Sequence, residues 1–245
     1  MFRTVLGADF DRLHPKLRRR FAVGLDGAEA CLGTGVMERI WHGPRVVEPF
    51  LALGGTRNIL LPSTGTDIPF TIENIPYRDT FGRETVSFVR TFAFPGGSRR
   101  FDAQMVLDPR RDRIVDYLGT HQHLASELHL SAEPDGSLLI RSGDLRLRKG
   151  PWGLRLPAAL HGRAEVRESF DDALGRFRIR VRVTNPIIGP IFGYHGTFTA
   201  EYVDARTHGV RPGLRPRRER PRERSRARTV HSRVGAASGT DRIGR

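Results

Sequence analysis

Residues 119–129, GTHQHLASELH, bring three of the chain's nine histidines and one glutamate into eleven positions. Read as an extended strand, His121, His123, Glu127 and His129 share one face, while Leu118, Leu124, Leu128 and Leu130 share the other. Neutral imidazoles and a carboxylate suit Zn²⁺, Fe²⁺, Mn²⁺ or Ni²⁺, so a divalent metal held by His121, His123 and Glu127 is the one cofactor these residues suggest. The opposing expectation is a strand whose leucines face an enclosed core and whose imidazoles face solvent. Which one holds depends on the face that encloses space.

A second constellation lies in residues 83–94. Glu84, Val86, Phe88, Arg90, Phe92 and Phe94 fall on one face, so Arg90 stands in an aromatic, inward row. A buried guanidinium needs a partner. It can receive the carboxylate or phosphate of a ligand, or close an internal salt bridge to Glu73, Glu84 or Glu168. Glu168 is itself inward if the flanking hairpin pairs Phe170 with Phe177, which sets Glu168 opposite Ile179. Arg90 and Glu168 are then either each other's structural partner or the two poles of a polar ligand site in an apolar cavity. Asn74 and Tyr77, at the end of the preceding strand, could orient such a ligand, whereas Asp79 and Gly82 read as turn chemistry.

The elements that position these residues are mostly strands. Residues 33–41 are entered through glycines, 69–77 and 83–94 form a hairpin turning at 79–82 (DTFG), and further strands are expected at 100–107, 113–118, 121–130 and 137–148. Residues 163–170 and 176–184 flank the turn DDALG, and a last strand runs over about 195–203. In 176–183, RFRIRVRV, four arginines alternate with four apolar side chains, which places the arginines on a solvated face. Near the start, Phe10, Leu13, Leu17 and Phe21 recur at helical spacing, with Pro15 suited to a first turn. The expected fold is all-β and mainly antiparallel: an about ten-stranded barrel-like or curved sandwich domain over 1–204, with a short N-terminal helix packed on it.

The formal net charge of +14 looks like a nucleic-acid signal until it is mapped. Thirteen arginines against Glu219, Glu223 and Asp241 fall in residues 205–245, so most of the charge sits in that Arg/Pro-rich segment. Its composition predicts a disordered tail, and nucleic acid is expected as a partner only through that tail. No apolar run approaches the roughly 20 residues of a transmembrane helix, and the first residues lack the apolar core of a secretory signal, so a cytoplasmic location is expected. The single cysteine, Cys31, excludes an intramolecular disulfide and a multi-cysteine zinc site. G-x-S-x-G, P-loop and G-x-G-x-x-G patterns are absent, which weighs against an enzyme.

Several ordered blocks carry a resemblance. PFTIENIPYRDTFGRETVSFVRTFAF at 69–94, together with VLGADFDRLHPKLRRRF, GTGVMERIW, RIVDYLGTHQHL, ESFDDALGRFRIRVRVTN and FGYHGTF, resembles the bacterial domain-of-unknown-function family 4166 over about residues 5–203. That family occurs alone or fused behind Rossmann-type oxidoreductase domains and brings no assigned catalytic residues. The resemblance implies a domain that receives or holds a small, fairly apolar metabolite, with an oxidoreductase as partner. Separately, His-x-His-x-x-x-Glu is similar to the first metal motif of cupins. The match ends at those three residues, since Pro134 stands where a glycine is expected and Gly193-Tyr194-His195 only distantly echoes a second motif.

The leading expectation is therefore a module binding a small-molecule or lipid-like ligand, apolar with an acidic or polar end. Arg90 is its anchor, Phe88, Phe92, Trp41 and Met105 its walls, and Glu168, Asn74 and Tyr77 its further polar contacts. The alternatives are a metal-dependent, cupin-like enzyme at His121, His123 and Glu127, and a nucleic-acid interaction protein acting through the basic tail.

Overall fold

Period-two alternation carries most of the chain into strands, and the computed structural model describes residues 1–149, 152–155 and 162–210. The described strands are β1 (Glu29–His42), β2 (Gly65–Arg78), β3 (Glu84–Phe94), β4 (Gly97–Asp108), β5 (Arg113–Leu118), β6 (Leu124–Ala132), β7 (Leu138–Ser142), β8 (Arg146–Lys149), β9 (Trp152–Arg155), β10 (Arg163–Asp171), β11 (Arg176–Asn185) and β12 (Gly189–Asp204). Ten of them follow the order β5-β4-β3-β2-β1-β12-β11-β10-β7-β6, and a further β5–β6 pairing closes the ring. The fold is a ten-stranded antiparallel barrel, as the alternation predicts, with the β8–β9 hairpin attached at the start of β6. Closure leaves none of the ten strands with an open edge.

Side chains alternate between lumen and exterior. In β11, Phe177, Ile179, Val181 and Val183 are buried, and Arg176, Arg178, Arg180 and Arg182 are exposed. The β10–β11 register pairs Phe170 with Phe177, Glu168 with Ile179 and Glu165 with Arg182, as the hairpin reading predicts. The expected turn at 79–82 also forms, with Asp79 Oδ1 accepting from the Phe81 and Arg83 amides and Gly82 at φ 75°.

Three local features change which residues face inward. In β1, Cys31, Gly33 and Met37 point to the lumen, but the register against β12 slips between Val36 and Arg39, and beyond the slip Ile40 is the buried residue. This bulge reverses parity, so Trp41, expected as a pocket wall, lies on the outer face across Gly193. Tyr77 is three positions from Asn74 and therefore on the opposite face, where its hydroxyl donates to Gln104 Oε1 at 2.6 Å. Third, the strand expected over 121–130 starts only at Leu124. Gly119 at φ 73° and Gln122 at φ 57° turn the chain before it, so His121 and His123 lie in a turn and the parity argument does not reach them.

The bulge depends on close backbone approach. A Cβ on Gly196 would lie 2.1 Å from Val36 O and 2.6 Å from Met37 Cα. Gly196→Ala is thus expected to lower stability by about 1–3 kcal/mol, seen as a lower denaturation midpoint at unchanged slope.

Helices close the barrel's ends. The single expected amino-terminal helix is two short ones, α1 (Phe2–Leu6) and α2 (Pro15–Phe21), joined by a 3-10 segment, Gly7–Arg12. Pro15 sits in the first turn of α2, and Phe10, Leu13, Leu17 and Phe21 are buried as their spacing predicts. Phe2 packs edge-on against Phe21 and Phe88 at that end. At the opposite end lies α3 (Glu48–Gly55), a helix not foreseen from periodicity. It sends only Leu51 into the core and leaves Phe50 and Leu53 exposed, so it has no clear apolar stripe. After β12 comes one helical turn, α4 (Ala205–His208), in which the Arg206 amide donates to Asp204 Oδ1 and the Ala205 amide to Ala28 O. Residues 211–245, most of the predicted tail, lie outside the described residues.

Candidate functional site

The polar residues of the lumen fall into two groups. The first is built around Arg20, which the helical stripe of α2 carries into the barrel beside Leu17 and Phe21. Its Nε donates to Glu168 Oε2 at 2.6 Å and its Nη2 to Oε1 at 3.4 Å. Its Nη1 donates to Asn74 Oδ1 at 2.9 Å and to Cys31 Sγ at 3.1 Å. The guanidinium also lies 4.8 Å from the Phe198 ring centroid. Burial alone would lower the Arg20 pKa, but the adjacent Glu168 outweighs it and holds the proton on. Burial pushes the Cys31 thiol up, against the pull of Arg20, so the thiol stays protonated and unreactive. Glu168 and Asn74 are thus taken up by a structural cation, and the expected Arg90–Glu168 pair is replaced by Arg20–Glu168.

The second group is not self-satisfied. Arg90 is buried on β3, with its guanidinium 5.7 Å from the Phe88 ring and 5.4 Å from the Phe101 ring, and its Nε has no hydrogen-bond partner. Asp116, inward on β5 opposite Met105, has no partner at Oδ1. Neither side chain makes a hydrogen bond or ion pair within the protein among the described residues. The buried Tyr194 hydroxyl on β12 is also unpartnered. Burial pushes the Asp116 carboxyl up to about 7 despite Arg90 nearby, and pushes the Tyr194 hydroxyl up to about 12.

Both Arg90 and Asp116 line a cavity of about 100 Å³. Its walls include Phe88, Phe101, Met105, Leu128 and Val181, and it extends to Phe50 and Leu60 at the α3 end. Phe88 and Met105 thus line this cavity. Phe92 is buried one layer away, packed on Phe70 and Tyr194 with centroids 5.2 Å apart in each case, and does not line the space.

The cavity also decides the histidine stretch. Leu118, Leu124 and Leu128 face it, and His123 and His129 are exposed. Glu127 points outward, where Arg113 Nη1 donates to its Oε2 at 2.6 Å and Arg111 lies 3.5 Å from Oε1. Burial alone would raise the Glu127 carboxyl, but these arginines hold it below the usual range. Among the described residues, no group of three His, Cys, Asp or Glu side chains converges to hold a metal.

Comparison with known proteins places this architecture. The model of a family described as "Domain of unknown function (DUF4166)" matches residues 13–198. The chain belongs to the DUF4166 family. It is also 39% identical over 193 residues to a protein of Bacillus subtilis (strain 168) described as "Uncharacterized protein YndH", covering 79% of this chain and 93% of that one. The DUF4166 match spans the barrel from Leu13 to Phe198 and so includes Arg20, Arg90, Asp116, Glu168 and Tyr194. No helix among the described residues is long and apolar enough to cross a membrane.

Three of these five residues escape a reading of the sequence based on motifs. Arg20 lies on the Leu13–Leu17–Phe21 stripe, and that helical spacing could have marked it. Asp116 alternates with Ile114 and Leu118, and Tyr194 with Phe192, so period two could have marked them as inward.

Proposed function

We propose that this DUF4166 barrel is a cytoplasmic binding module for a small, largely apolar molecule whose acidic end is received by Arg90. The observation that carries it is a buried guanidinium, facing a cavity, with no partner for its Nε. Such a group costs several kcal/mol unless something satisfies it, and a planar carboxylate matches its fork. The apolar walls supply affinity without direction, and Arg90 supplies orientation. At about 100 Å³ the space is smaller than the roughly 150 Å³ cavities that accept benzene, so the fitting ligand is short, or its tail extends toward Phe50 and Leu60. Service to a Rossmann-type oxidoreductase belongs to this proposal through the family resemblance.

Methyl NMR of the methionines tests it, because Met105 lines the cavity while Met37 sits elsewhere in the core. Titration with butanoate and with 1-butanol is expected to shift the Met105 methyl and leave Met1 unmoved. Arg90→Gln should weaken butanoate about tenfold or more and 1-butanol much less. No Met105 response to either probe would overturn the proposal.

A further inference from the structure

The charges facing the lumen can be counted by element. Helix α2 brings Arg20, β3 Arg90, β5 Asp116, β10 Glu168 and β12 Tyr194, with the Cys31 thiol on β1. The β6 and β7 positions beside Asp116 bring only the neutral hydroxyls of Ser126 and Ser142: Ser126 Oγ donates to Gly143 O at 3.0 Å, and Ser142 Oγ accepts from the Ala164 amide at 2.8 Å. Strands β2, β4 and β11 and helix α3 present uncharged side chains to the cavity end. Arg20 and Glu168 neutralise each other at 2.6 Å. Glu84, on the same face of β3, is paired with the Met1 amine at 3.2 Å. What remains is one cation, Arg90, whose Nε has no partner, and one carboxyl group, Asp116, whose Oδ1 has none.

We infer that the lumen binds a short-chain monocarboxylate on Arg90 together with one proton on Asp116. This rests on the lumen-binding proposal above and adds the ligand's charge and its linkage to protons. With Asp116 protonated, the lumen holds an uncompensated positive charge and a carboxyl O–H able to donate, and an entering carboxylate answers both. With Asp116 ionised, the same ligand would place a second anion beside a single cation in a site of low dielectric, so the ligand leaves or a proton enters. Burial of Asp116 places this switch near neutral pH. Linkage is reciprocal: the proton tightens the ligand, and the ligand tightens the proton.

Calorimetric titration of the full chain with butanoate at pH 8, in phosphate and in Tris, reads the proton directly through the two buffers' different ionisation heats. The expected uptake is close to one proton per butanoate bound. Between pH 7 and 8.5 the butanoate Kd should rise about 15-fold, while 1-butanol binding stays flat. Asp116→Asn should remove the pH dependence and bind butanoate about tenfold tighter than the parent at pH 8. The wild-type proton count needs no variant, so a poorly folding Asp116→Asn does not block the test. If 1-butanol binds but butanoate takes up no proton or shows no pH dependence, the proton linkage is overturned and the lumen proposal stands. If neither probe binds, both fall.

Discussion

Glu168→Ala is expected to lose roughly 3–5 kcal/mol of stability, because it leaves the Arg20 guanidinium buried without its counter-ion. Arg20 and Glu168 have side chains 1% and 2% exposed, so water cannot replace the lost carboxylate without opening the α2 end of the barrel. In a chain of this size that loss corresponds to a melting temperature roughly 10–15 °C lower. Truncating the pair together, as in Arg20→Met with Glu168→Leu, should recover most of it, since the charge that needed a partner is gone. Chemical denaturation of the three proteins decides the matter. A Glu168→Ala protein within 1 kcal/mol of the parent would mean that the network is not what secures α2.

Asp116→Asn is expected to act in the opposite direction, and only above acid pH. The unfolded carboxyl titrates near 3.9, and the folded one near 7. Between those values the folded state binds more protons than the unfolded state, so stability falls as pH rises through that window and levels off above it. Asparagine cannot ionise. The variant should therefore gain roughly 2–4 kcal/mol on the parent between pH 4 and pH 8, with the pH-independent cost of a buried amide setting only the offset. Paired carboxylates elsewhere contribute the opposite slope, so the informative quantity is the difference between the two proteins across pH. A difference that does not change between pH 4.5 and 8 would show that Asp116 is solvated. A destabilising carboxylate kept inside a barrel is the pattern of a group retained for binding rather than for folding.

The barrel was legible because period two is a backbone property. Once RFRIRVRV alternates, one face must go in, and the register Phe170–Phe177 follows from the turn between β10 and β11. Arg90 was legible for the same reason, being flanked by Phe88 and Phe92 at two-residue spacing. Trp41 was misplaced because one bulge between Val36 and Arg39 reverses parity, and a bulge arises from the meeting of two strands, not from either alone. For the histidines, Gly119 and Gln122 end the strand geometry that the parity argument assumed, so it reaches Glu127 and His129 but not His121 and His123.

The partner of Glu168 was the larger miss. Arg20 is 148 residues away on a helix that enters the barrel's end, and nothing local to either residue announces the pairing. The sequence by itself therefore determined an antiparallel β domain, barrel-like or a curved sandwich, its solvated arginine row and the inward Arg90, since each follows from alternation along the strands. Only the tertiary structure decided that Glu168 is committed to Arg20, that the leucines rather than the histidines of GTHQHLASELH enclose the cavity, and that Arg90 and Asp116 share that cavity unsatisfied. The reason is physical: an inward face is written in neighbouring residues, but a charge's partner is set by which strands and helices close around it.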